Sequence, residues 1–557
     1  MSARAANRRL RLLLLFFCLV FAGTIARAVW LQGVQARSLA TMATEQNRRV
    51  ESIPARRGTI YDRTGTQLAI GQQATTVYAN PKEVREPRRV AVTAGRVLGV
   101  DPNVVLRALA DRSRGFVYIK RKANPAAAAL LERRELAGIG FYPEERRTYP
   151  QRSVAAQVLG YAGVDNRGLA GLEYSLEPLL AGRPGSETLV TDPIGRAIER
   201  VSSVDEKAGR DVFLTLDHTL QANTELVLRQ TVARWKARAA TAIVLDPRSG
   251  AVLAMATAPG FDANRFPDVP RRFHRNRAVE DTYEPGSTFK VVTVAGVLAE
   301  GVATPRTSFT LPYEIQVADR RIRDAEERGT EQMSVARILS HSSNVGAITL
   351  AQLLGPERLS AWIRRFGFGR KTGIDYPDET RGIVLPTEEW SGSTIGNVPI
   401  GHGIAVTPVQ MASAYAALAN GGVLVRPRLI QRIQGKRPVR PVRRRIVPAP
   451  VARQVLAMLK DVVADGTGTL AAVPGYSVAG KTGTAAKPDP RGGYSDSLYV
   501  ASFVGFAPAS DPRLVVLVTV DEPHGAIWGG VVAAPAFKEI MRSSLQYLEI
   551  PPRLPAG

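Results

Sequence analysis

One apolar stretch near the amino terminus limits the architecture of the whole chain. Leu12 to Leu31 is almost entirely apolar, and a helix of about 20 residues spans about 30 Å, the thickness of one hydrocarbon core. Four arginines precede it: Arg4, Arg8, Arg9 and Arg11. Basic residues favour the cytoplasmic side of a membrane. We therefore predict a cytoplasmic tail over residues 1–11, a single transmembrane anchor over residues 12–31, and an exported remainder.

A cleaved signal peptide is the alternative interpretation of this stretch. Ala26-Arg27-Ala28 resembles the small-x-small pattern at which signal peptides are cut. Both interpretations export residues 32 onward. ATP is scarce outside the inner membrane, so either interpretation disfavours a nucleotide-dependent function.

The composition of the exported part excludes several kinds of site. The only cysteine of the 557 residues is Cys18, inside the apolar stretch, so the remainder has no disulfide, no thiol nucleophile and no cysteine metal ligand. The five histidines form no metal-binding spacing, and we predict neither a metal nor another cofactor. The net charge of +24 favours an anionic neighbour. A membrane surface or an acidic wall polymer fits better than nucleic acid, because no nucleic-acid-binding module is recognisable.

The pattern of strand, helix and turn signals changes along the chain and predicts two exported regions. Residues 37–205 contain many short elements, among them a strand–turn–strand from Ala55 to Ala69 and a helix from Asn124-Pro125 to Gly138. A polar linker, Asp205–Asp211, follows. In residues 210–557, strand signals stand at both ends and helical stretches between them. This order predicts an α+β fold whose antiparallel sheet is completed late in the chain.

The stretch "GYSVAGKTGT", Gly475 to Thr484, matches two chemical patterns. Its first eight residues fit the phosphate-binding P-loop, and "KTGT" is a signature of penicillin-interacting serine enzymes. A P-loop requires a buried strand before it and a helix starting at its lysine. Here "GTGTLAAVP" precedes and the proline-rich "GTAAKPDPRGG" follows, so we predict a strand through Lys481. A second Lys-Thr-Gly, Lys371–Gly373, follows a glycine-rich turn and is predicted to be an exposed connection.

A serine and a lysine share one turn of the apolar segment "GSTFKVVTVAGVLA". Ser287 and Lys290 are three residues apart, so both side chains lie on one face of a helix that begins near Ser287. A buried lysine amine has a depressed pKa and can accept the hydroxyl proton. The helix amino terminus also offers N–H donors to a developing oxyanion. The alternative is that Ser287 merely caps the helix and Lys290 lies on the surface.

Two further motifs make this signal specific. Ser342 and Asn344, in "SHSSNVGA", supply a hydroxyl and an amide, and Lys481 comes later on the predicted strand. Alternation along that strand places Thr482 and Thr484 on one face, where their hydroxyls suit a substrate carboxylate. Gly483 allows a peptide backbone to approach closely. Three motifs in this order, each in a suitable element, predict a serine acyltransferase.

The chain resembles the class B penicillin-binding proteins along nearly its whole length. "RRGTIYDRTGTQLA" and "GLAGLEYSLEPLLAGRPG" resemble motifs of that family's non-catalytic pedestal. "NRAVEDTYEPGSTFK", "SSNVG", "RRFGFGRKTGIDYP", "TPVQMASAYAALANGG" and "VAGKTGTA" resemble successive landmarks of its transpeptidase domain. Glu284 before Pro-Gly-Ser is similar to the septal, penicillin-binding protein 3 type. His402 stands where the family usually has Tyr.

The resemblance implies a D,D-transpeptidase that crosslinks peptidoglycan. It implies that Ser287 forms an acyl-enzyme with the D-Ala-D-Ala end of a donor stem peptide. Lys290 is then the base, and Ser342, Asn344 and Lys481 complete the network. Thr482 and Thr484 hold the terminal carboxylate, beside Gly483. The backbone N–H groups of Ser287 and Thr484 form the oxyanion hole.

The resemblance also implies where the enzyme works and with what. It predicts a pedestal at residues 37–205 and a transpeptidase domain at 210–557, both periplasmic, on an inner-membrane anchor. The expected partners are stem peptides, β-lactams, a lipid-II glycosyltransferase of the SEDS family and other division proteins. Alternatives are a cell-elongation transpeptidase, a D-Ala-D-Ala carboxypeptidase or β-lactamase, and a non-catalytic scaffold of the division apparatus.

Overall fold

The computed structural model describes residues 3–38, 42, 48–191 and 197–552. These residues divide into two units. The first comprises the described residues up to Arg56 together with Gly182–Ala208, and the second comprises Arg57–Ala181 and Gly209 onward.

The first unit contains the amino-terminal helix and a small sheet. The helix Ala3–Val29 continues into one π-helical turn, Trp30–Val34. By length and composition it is the one helix of the described chain able to cross a membrane, and it fits the predicted single-pass anchor. The antiparallel sheet has Gly185–Thr191 between Arg48–Ile53 and Ala197–Val204.

The part of the second unit around the two pedestal-like motifs is built on a mixed sheet. Its strands, in spatial order, are Ile430–Ile433, Val212–Leu214, Ile60–Tyr61, Gln67–Ala79 and Val117–Ala123, with Ile139–Thr148 also paired to Gln67–Ala79. Its helices are Pro87–Leu98, Pro102–Ala110, Pro125–Glu132, Ala156–Leu159, Gly171–Ser175 and Glu177–Leu180. Strands from both sides of the predicted linker therefore share one sheet.

The helix predicted from Asn124-Pro125 to Gly138 begins as expected and ends early. The Asn124 side chain accepts a hydrogen bond from the Ala126 N–H at 2.8 Å, and Pro125 is the first helical residue. The helix ends at Glu132. Gly138 instead has a φ of +79° in the turn before the strand Ile139–Thr148, so its left-handed conformation serves that strand.

A buried ion cluster joins the two pedestal-like stretches of the sequence. Arg57 lies in the first stretch and donates to Glu173 at 2.6 Å and Glu177 at 2.7 Å in the second. Arg147 binds the other oxygen of Glu173, also at 2.6 Å. Glu173 is fully buried, and a buried carboxylate needs such compensation. Loss of either arginine is therefore expected to loosen this part of the fold.

The part of the second unit that carries the serine and lysine motifs contains a five-stranded antiparallel sheet. Its spatial order is Val252–Ala258, Ala239–Leu245, Leu514–Asp521, Tyr494–Ala507 and Ala479–Pro488. The first two strands are buried on both faces. Ile243 faces one apolar core and Val244 the other, as the two-residue period of a strand requires. The sheet contains strands from both ends of the region, which confirms the predicted α+β fold.

Helices cover both faces of this sheet. Longer helices are His218–Trp235, Lys290–Ala299, Asn344–Leu354, Pro356–Phe366, Pro408–Ala419, Ala449–Ala464 and Ala534–Tyr547. Shorter helices are Arg277–Glu280, Val335–Ser340, Thr394–Asn397 and Gly529–Val532. Short strand pairs are Tyr161–Ala162 with Gly168–Ala170, Ser308–Leu311 with Glu331–Ser334, Glu314–Val317 with Arg320–Arg323, and Val423–Val425 with Arg443–Arg445.

Candidate active site

The predicted nucleophile lies in a tight turn at the start of a buried helix. Gly286–Phe289 form a 3₁₀ turn, and the α-helix itself is Lys290–Ala299, three residues later than predicted. Side chains three residues apart eclipse in 3₁₀ geometry, so Ser287 and Lys290 lie on the same side. Gly286 has a φ of +54°, and a Cβ there would lie 2.7 Å from the Thr484 carbonyl oxygen. This close approach brings the serine turn against the strand that carries Thr484.

Lys290 is fully buried and hydrogen-bonded. Its Nζ donates to the Ser342 carbonyl at 2.5 Å, the Ser342 hydroxyl at 3.2 Å and Asn344 Oδ1 at 2.7 Å. Burial lowers the pKa of Lys290 to about 7, and the charge of Asp324 opposes that shift. The surface-lysine alternative is therefore wrong. An amine with such a pKa is partly neutral at physiological pH and can accept a proton.

Ser342 and Asn344 are held by the turn between two helices. Ser342 has a φ of +60°, between Val335–Ser340 and Asn344–Leu354. Ser343 caps the second helix, because its hydroxyl accepts from the Gly346 N–H at 2.9 Å. This turn directs the Ser342 hydroxyl and the Asn344 amide toward Lys290.

Lys481 comes from the strand Ala479–Pro488, at the edge of the five-stranded sheet. Its Nζ donates to the Ser342 hydroxyl at 2.9 Å, so that hydroxyl contacts both lysine amines. Burial lowers the pKa of Lys481 well below its usual value, and the nearby Lys290 charge lowers it further. The two amines therefore disfavour simultaneous protonation.

The remaining residues of the motif lie beside Lys481 on the same edge strand. Thr482 and Thr484 alternate with Lys481 along the strand, and the Lys481 Nζ also donates to the Thr482 hydroxyl at 3.3 Å. The Thr482 hydroxyl lies 2.7 Å from that of Thr467, and the Thr484 hydroxyl accepts from the Gly529 N–H at 3.0 Å. Gly483 faces the serine turn. A Cβ there would lie 2.8 Å from the Pro285 carbonyl oxygen.

The P-loop interpretation of Gly475–Thr482 is wrong in structural terms. No helix begins at Lys481; the strand that starts at Ala479 continues through it to Pro488. The β-prone residues Tyr476 to Val478 precede the strand in an irregular segment. The strand predicted through Lys481 is therefore present, and it begins at Ala479, after these β-prone residues.

Three side chains contact one another at the rim of the site. Glu284 Oε2 lies 3.1 Å from His402 Nδ1, and Glu284 Oε1 accepts from the Gly403 N–H at 3.0 Å and the Tyr494 hydroxyl at 3.1 Å. Burial, then the Glu284 charge, raises the pKa of Tyr494 to about 12. Glu284 and His402 thus tie the serine segment to the hairpin that carries Lys481.

Sequence reasoning missed Asp324 and Arg328. The Asp324 carboxylate accepts hydrogen bonds from the Asn344 N–H at 2.5 Å, the Val345 N–H at 3.0 Å and the Ser343 hydroxyl. Arg328 donates to Asp324 at 2.6 Å. Their four-residue spacing is common to many exposed ion pairs, so no local signal distinguishes them. Only the fold brings them beneath the helix of Asn344.

One group of potential metal ligands occurs in the described part of the chain, away from the serine motifs in sequence. Asp62, Asp217 and His218 have ligand atoms within 4.8 Å of one another. Asp62 Oδ2 already accepts from the His218 N–H and lies 2.8 Å from His218 Nδ1. The Asp217 carboxylate caps the helix His218–Trp235. These oxygens are engaged within the fold, and we assign them no chemistry.

Comparison with known proteins identifies the family. The model of the penicillin binding protein transpeptidase domain matches residues 240–542, and that of the penicillin-binding protein dimerisation domain matches 52–214. The probable peptidoglycan D,D-transpeptidase PenA of Neisseria meningitidis is 35% identical over 99% of this chain and 94% of its own length. Peptidoglycan D,D-transpeptidase FtsI of Escherichia coli is 34% identical over 96% and 91%.

A solved structure supports the same assignment. Penicillin-binding protein 3 of Mycobacterium tuberculosis, complexed with aztreonam, is 32% identical, with a TM-score of 0.71 over 91% of this chain and 99% of that one. Both matched domains and near full-length relatives agree with the converging serine, lysine and asparagine motifs. The chain therefore belongs to the class B penicillin-binding proteins, penicillin-sensitive serine D,D-transpeptidases of peptidoglycan synthesis.

Proposed function

We propose that this transpeptidase crosslinks stem peptides during septal wall synthesis, with Ser287 as its nucleophile and Lys290 as its base. One observation carries the proposal: the Ser342 hydroxyl lies 3.2 Å from Lys290 Nζ and 2.9 Å from Lys481 Nζ. Three motifs far apart in sequence meet at this hydroxyl. Few structural roles require two buried amines around one serine.

In the acylation step, neutral Lys290 accepts the Ser287 proton as the Ser287 oxygen attacks the D-Ala-D-Ala carbonyl carbon. The negative charge that develops on the carbonyl oxygen is stabilised by the N–H groups of Ser287 and Thr484. A proton passes from Lys290 through the Ser342 hydroxyl to the departing D-Ala amine. An amine of a neighbouring stem peptide then attacks the acyl carbon. Lys290 takes a proton from that amine and returns it to the Ser287 oxygen as the ester bond to Ser287 breaks.

The position of the Lys481 strand supports a role in substrate binding. Ala479–Pro488 is an edge strand, and an edge can accept an extended peptide as an additional strand. Thr482 and Thr484 then hold the terminal carboxylate of the donor. Because Gly483 has no side chain, the strand can lie close to the serine turn.

Mass spectrometry of protein treated with a fluorescent penicillin tests the nucleophile. We expect one adduct, on the peptide that contains Ser287, and no labelling of Ser287→Ala. An adduct on another residue, or full labelling of Ser287→Ala, would contradict the mechanism. Incubation with a stem peptide and an amine acceptor then separates transpeptidation from hydrolysis: a dominant hydrolysed product would favour a carboxypeptidase.

Depletion of the protein in cells tests the septal role. We expect filaments, because Glu284 before Pro-Gly-Ser resembles the septal type. Round cells would assign the enzyme to elongation instead. A normal cell shape when Ser287→Ala is the only copy would favour a non-catalytic scaffold. Co-purification with a SEDS glycosyltransferase tests the predicted partner.

We further propose that the amino-terminal helix anchors the enzyme with its catalytic domain in the periplasm. The helix length and the four arginines at its start support this orientation. Amino-terminal sequencing of the membrane fraction tests it. We expect the intact terminus; a soluble chain beginning near Val29 would show that the helix is a cleaved signal peptide.

A further inference from the structure

A buried carboxylate lies directly behind the Ser342–Asn344 motif. Asp324 is 9% exposed and follows the strand Arg320–Arg323. Its Oδ1 accepts from the N–H groups of Asn344 and Val345, and both of its oxygens lie within 3.2 Å of the Ser343 hydroxyl. Asp324 therefore fixes the first turn of the helix Asn344–Leu354 by three donors.

The residue before Asp324 orients the Asn344 side chain. The Arg323 carbonyl accepts from Asn344 Nδ2 at 2.8 Å. With its nitrogen held there, the amide directs Oδ1 at Lys290 Nζ, 2.7 Å away. The pair Arg323-Asp324 thus holds Asn344 by both its main chain and its side chain. A shift of this segment would move the acceptor that holds Lys290.

Arg328 fixes the carboxylate in turn. Its Nε and Nη2 donate to Asp324 Oδ2 at 3.0 and 2.6 Å, and its Nη1 donates to the Leu311 carbonyl at 2.8 Å. The Arg328 side chain is 12% exposed, so the pair is shielded from solvent. Arg323, by contrast, directs its guanidinium to Glu314 and leaves Asp324 to Arg328.

Three charged residues act on Lys290, and they come from the edge strand and from the loop that follows the strand Arg320–Arg323. Lys481 on the edge strand disfavours the Lys290 cation, Asp324 favours it, and Arg328 partly neutralises Asp324. Burial is the largest influence on the pKa of Lys290, which it lowers to about 7, and Asp324 is the charge that opposes it. Asp324 therefore affects both the position and the protonation of the proposed base.

We propose that Asp324 is a positioning residue for acylation: its carboxylate, fixed by Arg328, holds Ser343 and Asn344 and through them Lys290. The inference rests on the proposed role of Lys290 as base. Asp324 touches no reacting atom, so it is not a catalytic residue. Its effect is transmitted through the turn that carries Ser342 and through its charge.

The pH dependence of penicillin acylation separates this role from general structural support. We would measure second-order acylation rates between about pH 5.5 and 9 for the full-length protein and three variants. Asp324→Asn keeps an oxygen acceptor for the N–H groups and removes the charge. The acid limb of its rate profile is expected to move down by at least about 0.5 pH unit.

Arg328→Gln provides the opposite change. It leaves the Asp324 charge uncompensated, which favours the Lys290 cation, so its acid limb is expected to move up. Asp319→Asn is the matched control, because Asp319 is an exposed acid of the same segment with a 74% exposed side chain. Its profile is expected to coincide with that of the wild type.

The outcomes are separable. The inference would be overturned if the acid limbs of the rate profiles of Asp324→Asn and Arg328→Gln both stayed at the wild-type pH, or if they moved in the directions opposite to those expected. Either result would leave the proposed function intact. A wild-type profile without an acid limb would overturn the role of Lys290 itself. If Asp324→Asn does not fold, Arg328→Gln decides alone, because it retains the carboxylate and its three donors.

Discussion

The two Lys-Thr-Gly stretches have the same sequence but differ in secondary structure and in the burial of their lysines. Lys371 is exposed, and Lys371–Gly373 lies outside any helix or strand. Its Thr372 N–H and hydroxyl and its Gly373 N–H all donate to the buried carboxylate of Glu379, at 2.5 to 3.0 Å. Lys481–Gly483, in contrast, lies on an edge strand, and Lys481 is fully buried.

The comparison separates what the two stretches have in common from what differs between them. Thr-Gly donors bind a carboxylate in the first stretch, and that carboxylate belongs to the chain itself. Among the described residues, the hydrogen-bond partners of the Thr482 and Thr484 hydroxyls are other hydroxyls, the Lys481 amine and a backbone N–H, and no carboxylate. The lysine differs more: strand alternation directs Lys481 into the interior, whereas the Lys371 turn leaves its amine in solvent.

The largest expected effect comes from Lys481. Lys481→Ala removes the donor to the Ser342 hydroxyl, and loss of an active-site donor typically costs about 100-fold or more in rate. We expect penicillin acylation to slow by at least about 100-fold, with the circular dichroism spectrum unchanged. A variant that is folded and acylated at the wild-type rate would show that the wrong motif has been assigned.

Substitutions of the two motif glycines, Gly483 and Gly373, are expected to affect different properties: acylation in the first case and stability in the second. Gly483→Ala places a Cβ against the Ser502 hydroxyl and 2.8 Å from the Pro285 carbonyl oxygen, so the Ser502 side chain must turn aside and the strand and the serine turn must move apart. Such a displacement is expected to slow acylation by about 10- to 100-fold. Gly373 has a φ of +80°, so Gly373→Ala is expected to destabilise the fold by about 1–2 kcal/mol with little change in acylation.

Acylation kinetics and urea unfolding of both glycine variants test this contrast. Equal loss of acylation in the two would contradict it, since Gly373 would then belong to the active site.

The pH dependence of the wild type separates the buried amines from a solvent-exposed one. Lys290 must be neutral to accept a proton, and burial lowers its pKa to about 7. The rate is therefore expected to fall below that pH, by about tenfold from the plateau to pH 6. Lys371→Ala is expected to keep the same limb. A flat profile from about pH 6 to 9 would indicate that another group accepts the proton.

Local sequence patterns predicted the helix and the strand of this site because each motif matches the residue spacing of one type of secondary structure. The three-residue spacing of Ser287 and Lys290 requires one turn, and alternation along Lys481–Thr484 requires a strand. The patterns did not predict the first residues of these two elements. The α-helix is preceded by a 3₁₀ turn and begins at Lys290, and the strand begins only after the irregular segment Tyr476–Val478. Both starting points depend on contacts with residues that are distant in sequence, such as the close approach of Gly286 to Thr484.

Long-range partners lie beyond such reasoning. Asp324 precedes Asn344 by 20 residues, and nothing in the intervening sequence predicts that its carboxylate returns to the start of that helix. Arg57 and Glu173 are 116 residues apart, and the pedestal-like motifs suggested their importance without showing that they bind each other. Tertiary packing decides these pairs, so only the fold reveals them.

The smallest expected effect belongs to Lys371, and it tests the comparison most directly. Lys371→Ala removes one charge from a solvated side chain and leaves the donors to Glu379 in place, because these come from Thr372 and Gly373. Loss of an exposed charge usually changes stability by less than about 0.5 kcal/mol. We therefore expect acylation within about twofold of the wild type, measured beside Lys481→Ala on proteins prepared together. ATP is expected to raise the melting temperature of neither variant, because no phosphate-binding loop is formed. A large acylation defect at Lys371 with little at Lys481 would reverse the assignment: the exposed turn would be the functional motif and the buried strand a structural one.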